Sequence, residues 1–123
     1  MKVILLSLVL TFTIGCVSWI CREDVIYERK SPSGRNIATV FRRDCGPTSD
    51  FVTIVQVRDS DRRFKGMDYR DMVVQIGGEH KVRVRWDGNT HLVLSWPKTR
   101  ELPVWQLVRM SNIVISYEQS DQR

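Results

Sequence analysis

The sequence predicts an all-β protein: one small antiparallel domain of about six or seven strands, a sandwich or a twisted meander, behind an N-terminal hydrophobic segment. Three observations carry that expectation. Beyond residue 21 the apolar residues alternate with polar ones in short stretches, which is the period of a half-buried strand. Turn chemistry (Ser31-Pro32-Ser33-Gly34, Gly46-Pro47, Gly77-Gly78, Asp87-Gly88-Asn89) falls between those stretches. No stretch beyond residue 21 keeps a helical apolar stripe. The division that follows is 1–21 for the hydrophobic segment, 22–119 for the β domain and 120–123 for a polar tail.

The strands are expected in this order. Val25 to Glu28 is a weak first strand, ended by the Ser31–Gly34 turn, where proline sets φ and glycine is free to take φ > 0. Asn36 to Arg42 follows. Phe51 to Arg58, rich in β-branched residues, is the clearest strand of the chain. Asp59 to Asp71 carries four acidic and four basic residues and reads as a solvated excursion between strands. Met72 to Ile76 resumes the strand pattern.

The next hairpin can be read for register. Val82, Val84 and Trp86 share one face, and Leu92, Leu94 and Trp96 share another. Matching the two apolar faces pairs even positions with even positions. That requires an odd-length loop, so a three-residue turn with glycine or asparagine in the left-handed region is expected at Asp87-Gly88-Asn89. Lys81, Arg83 and Arg85 then form a basic stripe on the outer face, near His91. Val104–Arg109 and Ile113–Tyr117 read as a closing hairpin.

Val3 to Cys21 is an uncharged, mostly apolar run that starts after Lys2 and ends at Arg22-Glu23-Asp24. A helix of that length covers about 28 Å, close to the hydrocarbon core of a bilayer. Lys2 holds its end in the cytoplasm and the β domain falls on the non-cytoplasmic side. Two readings of the run stay open. As an uncleaved anchor it places Trp19 at the outer interface. As a lipoprotein signal it presents Thr13-Ile14-Gly15-Cys16, which resembles a lipobox with Cys16 as the lipidated residue; no A-x-A cleavage site is present.

Outside the cytoplasm thiols tend to pair, and if Cys16 carries lipid, Cys21 and Cys45 remain as a disulfide pair. The net charge is +5. A basic exterior domain is drawn to anionic headgroups. Nucleic acid, the other common partner of basic domains, does not suit an exported location.

The densest cluster of special residues is Asp44-Cys45-Gly46-Pro47-Thr48, read as a tight loop and as a candidate recognition loop for an envelope partner. The segment from Ser31-Pro32-Ser33-Gly34-Arg35 through Ala38-Thr39-Val40-Phe41-Arg42-Arg43-Asp44-Cys45-Gly46-Pro47-Thr48-Ser49-Asp50-Phe51 resembles a family of small bacterial envelope proteins of unknown function, many of them lipoproteins. Ser33 stands where that family has aspartate, and Pro47 where it has alanine. The resemblance implies export, a β-rich domain and a bacterial source, and it brings no reaction with it.

As an enzyme the chain has almost nothing to offer, and a thiol-dependent enzyme stands as the remotest alternative. Cys45 beside Asp44, with His80 or His91, lacks the flanking pattern of a thiol enzyme. Asp59, Asp61, Asp68 and Asp71 lack calcium-loop spacing, and the histidines and cysteines lack zinc spacing. No cofactor and no metal are expected. The reading that follows is a non-enzymatic binding or structural module of the cell envelope, its partners the membrane and an unknown envelope protein. The alternative is an inhibitor or immunity-type protein that meets an acidic enzyme through its basic surface.

Overall fold

Strand β3 (Val52–Asp59) is buried along nearly its whole length, polar residues included, so both of its faces are covered. It lies at the middle of the first of two sheets. The computed structural model describes residues 21–47 and 49–120, with backbone alone at 119 and 120. The first sheet has the order β1-β2-β3-β4-β7 and the second β5-β6-β9-β8. Here β1 is Arg22–Lys30, β2 Asn36–Asp44, β4 Met72–Gly77, β5 Arg83–Trp86, β6 His91–Pro97, β7 Trp105–Gln106, β8 Arg109–Met110 and β9 Ile113–Ser120. The described residues contain no helix, and the domain is all-β as its alternation predicts. It is the sandwich rather than the meander.

The inner faces meet in one apolar core. Ala38, Val40, Val55, Val57, Val74 and Ile76 from the first sheet pack on Leu92, Leu94, Ile113 and Ile115 from the second. The β5–β6 hairpin keeps the expected even-to-even parity, Val84 opposite Leu94 and Trp86 opposite Leu92, but its three-residue turn is Gly88-Asn89-Thr90, one position later than expected. Its turn is odd-length: the Asp87 N–H donates to the His91 carbonyl at 2.8 Å, and Gly88 takes φ 80°. A side chain at Gly88 would be strained at that φ, which is why glycine serves there.

Three further expectations are corrected. Val104–Arg109 does not form one strand of a closing hairpin. It is split: β7 pairs with β4 in the first sheet, and β8 pairs with β9 in the second. Leu107 carries the chain between the layers, its N–H on the Val73 carbonyl at 2.9 Å and its carbonyl accepting the Tyr117 hydroxyl. β9 then runs parallel to β6, so the second sheet is mixed rather than wholly antiparallel. A parallel neighbour requires a crossover, and Lys98 to Asn112 supplies it by passing through the first sheet.

The third correction concerns Asp59–Asp71. It is not a solvated excursion but a cover laid across the outer face of the first sheet. Phe64 meets Phe41 edge-on at 5.1 Å between ring centroids. With Met67 it shields Phe41, Ile54 and Met72. The Gln56 amide donates to the Gly66 carbonyl at 2.9 Å, and Glu23 accepts the Met67 N–H at 3.1 Å. Beneath the cover Arg58 is only 8% exposed, and its guanidinium bonds Thr39, the Arg62 carbonyl and, at 3.1 Å, Glu28.

Cys21 and Cys45 are joined by a disulfide that ties the start of β1 to the end of β2. Closing a loop of that length contributes on the order of 3 kcal/mol.

Candidate functional site

On one side of the sandwich the two sheets are drawn together at the top and part below. The Trp86 indole N–H donates to the Arg29 carbonyl at 3.0 Å, and the Tyr27 hydroxyl donates to the Val82 carbonyl. Below those contacts a groove of about 640 Å³ opens between β1 and the Glu79–Val82 connection. Ile26, Tyr27, Val40 and Val82 give it apolar walls.

The rim is charged and internally paired. Arg42 bridges Asp24 at 3.2 Å and Glu79 at 3.1 Å, and its guanidinium lies over the Phe51 ring, 4.7 Å from the centroid. The Arg42 hydrogen bond holds the Asp24 carboxyl below the usual carboxylate range, and the same bond raises Arg42. Burial pushes the Tyr27 phenol up.

Each element supplies its residues for a local reason. Asp24 and Tyr27 share the inner face of β1, opposite Arg42 and Val40 of β2. Ile26 is the extra residue of a bulge between Val25 and Tyr27, and the bulge leaves it half exposed at 50%. Thr53 turns the next segment: its hydroxyl donates to the Gly78 carbonyl at 2.8 Å and accepts the His80 N–H at 3.0 Å, which sets the Glu79–Val82 wall.

The residues singled out from sequence fall in three places. Lys81 precedes β5 and lines the groove. Arg83, Arg85 and His91 lie on the outer face of the second sheet, so Lys81 is separated from the other three. Arg85 pairs with Glu118 at 3.2 Å, and His91 sits 2.7 Å from the Ser116 hydroxyl and 3.7 Å from Asp87. Of the stripe's cations, Arg85 is thus answered locally, by Glu118. In the loop after β2, Asp44 accepts the Gly46 N–H at 3.0 Å, Cys45 is in the disulfide, and the Ser49 N–H closes the turn around Pro47 onto the Gly46 carbonyl at 3.1 Å. Thr48 and Cys16 lie outside the described residues.

Cys45 presents no thiol, and neither histidine ring bonds it: His80 lies 2.7 Å from the Gly77 carbonyl and 3.3 Å from Glu101. Among the described residues no three His, Cys, Asp or Glu gather as a metal-ligand set. Asp68 and Asp71 are bound to Arg70 at 2.9 Å and Arg62 at 2.8 Å. No described helix is long and apolar enough to cross a membrane. Apart from Cys21, the apolar run lies outside the described residues.

Of the groove residues, sequence reasoning singled out Lys81 for the stripe and His80 only as a conceivable partner of Cys45. The available signal was Ile26: two adjacent apolar residues, Val25-Ile26, break alternation inside an otherwise charged strand, which is how a bulge reads. No protein-family profile, characterised protein or solved structure matches the chain.

Proposed function

We propose that this chain is a membrane-anchored binding module of the bacterial cell envelope, without catalytic chemistry of its own, and that the groove beside β1 is where it binds. The groove carries the reading: an apolar-walled recess of about 640 Å³ with a charged rim is the form a binding site takes. A smaller recess of about 260 Å³ lies between Trp96, Leu102, Pro103 and Tyr117, with less than half the volume. The disulfide supports the location, since such bonds persist outside the cytoplasm. The apolar run after Lys2 supports attachment, through acyl chains at Cys16 or through the run itself as an anchor. The motif around Asp44-Cys45-Gly46 supports the bacterial envelope. The inhibitor reading rests on the basic surface as a whole, of which the Arg85–Glu118 pair removes one cation.

A photocrosslinking side chain placed at Lys81 in intact envelopes tests the binding site. A discrete adduct at Lys81, lost on Ile26→Arg and absent when the probe sits at Val114 on the outer face of the second sheet, is the expected result. Equal labelling from both positions would discard the groove. The attachment is read separately by mass spectrometry. An acylated N-terminus at Cys16 and a retained precursor in Cys16→Ser mark the lipoprotein, and an intact Met1 with no effect of Cys16→Ser marks the anchor.

A further inference from the structure

Strand β1 is the nine-residue edge of the first sheet, and its outer edge meets no described strand. We infer that this edge is a self-pairing surface: two copies of the chain join β1 to β1 antiparallel. The pairing would run the first sheets of both into one and bring Arg29 of the second copy to the rim of the groove.

The hydrogen-bond phase shows which groups are available. The Ser31 N–H donates to the Asn36 carbonyl at 2.9 Å, and the Ser60 N–H donates to the Arg35 carbonyl at 2.8 Å. Even-numbered residues of β2 therefore face β1 and odd-numbered ones face β3. Their partners Arg22, Asp24, Tyr27 and Arg29 turn inward, and Glu23, Val25, Glu28 and Lys30 present their main-chain groups to the outside. In an unbroken strand the outward residues would alternate throughout. Here the bulge at Ile26 puts two residues between Val25 and Glu28 instead of one.

That shift decides the register. A two-fold pairing must set outward residues against outward residues and inward against inward. Glu23 then stands opposite Lys30 of the second copy, Asp24 opposite Arg29, Val25 opposite Glu28 and Ile26 opposite Tyr27. Two of these are opposite-charge pairs, and symmetry repeats both. Glu23 and Lys30 lie on the outer face of the sheet, Asp24 and Arg29 on the inner face at the groove. Slipping by two residues one way would set Glu23 against Glu28 and Arg22 against Arg29, like against like; slipping the other way would set outward Glu28 against inward Tyr27, which the bulge's phase forbids. The charges that keep foreign strands from an edge thus admit one partner and one register. Val25 and Ile26, 46% and 50% exposed, become the apolar centre of the joint.

The two-fold axis runs perpendicular to the sheet, so the Cys21 ends leave from opposite ends of the joint.

Sedimentation of the full chain in detergent tests the inference with two charge variants, Glu23→Lys/Asp24→Lys and Arg29→Glu/Lys30→Glu. Wild type should dimerise. Each variant alone should be at least about tenfold weaker. The two mixed should recover the wild-type affinity, because every pair across the joint is then opposite in charge. Glu23 also holds the Met67 N–H, so the first variant can fail to fold; a second measurement does not depend on it. Isotopically heavy and light wild-type copies are mixed and treated with a carbodiimide, and a mixed-isotope link between Glu23 and Lys30 is expected. A monomeric wild type, a mixture no tighter than its components, or a link found only within single copies would overturn the inference.

Discussion

The first sheet has two buried faces of opposite character. Toward the second sheet it shows Ala38, Val40, Val55 and Val57, all apolar. Toward the Asp59–Asp71 cover it shows Thr39, Gln56 and Arg58 beside Phe41 and Ile54. Burial on the inner face needs only apolar area, because another sheet satisfies its own main chain. On the outer face the cover is irregular chain, whose carbonyls and amides need partners. Gln56, Arg58 and Glu23 supply them at the Gly66 and Arg62 carbonyls and the Met67 amide. A polar core is what a loop-covered face requires, and an apolar one is what a sheet-covered face allows.

Truncations sharpen that contrast most. Leu94→Ala on the inner side and Phe41→Ala on the outer side should each cost about 3–5 kcal/mol in urea unfolding, since both side chains are fully buried. A cost for Phe41→Ala below about 1 kcal/mol would mean that the cover does not hold in solution. Cys45→Ala comes next: opening the disulfide should lose on the order of 3 kcal/mol, and a reducing agent should produce the same loss in wild type and none in the variant.

How much of this was legible before the structure follows from the same contrast. The inner face could be read because Val82, Val84, Trp86 and Leu92, Leu94, Trp96 keep a period of two, and the odd-length turn followed from parity alone. The outer face could not be read. Phe64 and Met67 stand among charges without periodicity, and only the unbroken burial of β3 reveals that something lies over them. β1 looked weak for a related reason: an edge strand carries its charges on both faces, so Arg22-Glu23-Asp24 and Glu28-Arg29-Lys30 masked its length. The splitting of Val104–Arg109 between sheets left no trace, because two-residue strands are shorter than any pattern. The groove escaped because it depends on how far two elements distant in sequence stand apart.

A smaller effect tests the joint between cover and sheet. Gly66 has φ 85°, and a methyl group there would strike the Glu23 carboxylate. Gly66→Ala should cost about 1–2 kcal/mol from the left-handed backbone. It should also release the cover locally, so that limited trypsin cuts at Lys65 before the rest of the domain opens. Unchanged resistance at Lys65 would show that the Glu23 contact is not what holds the cover down.

The smallest effects are those of pH, and their signs separate the two ends of the scale. Asp24 and Asp68 are held below their ordinary values by the hydrogen bonds of Arg42 and Arg70, Asp68 down to about 2. Their contribution is present above the unfolded value of about 4 and disappears as the pH falls through the folded values. Both pairs are solvent-facing, so the loss on acidification should be shallow and salt-sensitive. Tyr27 and Tyr117 are raised by burial. A raised acid is stable below its unfolded value of about 10 and loses that stability as the pH climbs toward the folded one. Tyr117 caps the Leu107 carbonyl where the chain crosses between sheets, whereas Tyr27 caps Val82 at the groove. Tyr117→Phe should therefore cost about 1 kcal/mol at neutral pH and flatten the alkaline limb of the unfolding midpoint. Tyr27→Phe should flatten it less, because the Tyr27 phenol is the less buried of the two. An alkaline limb as steep in Tyr117→Phe as in wild type would place the high-pH instability elsewhere than at the crossing.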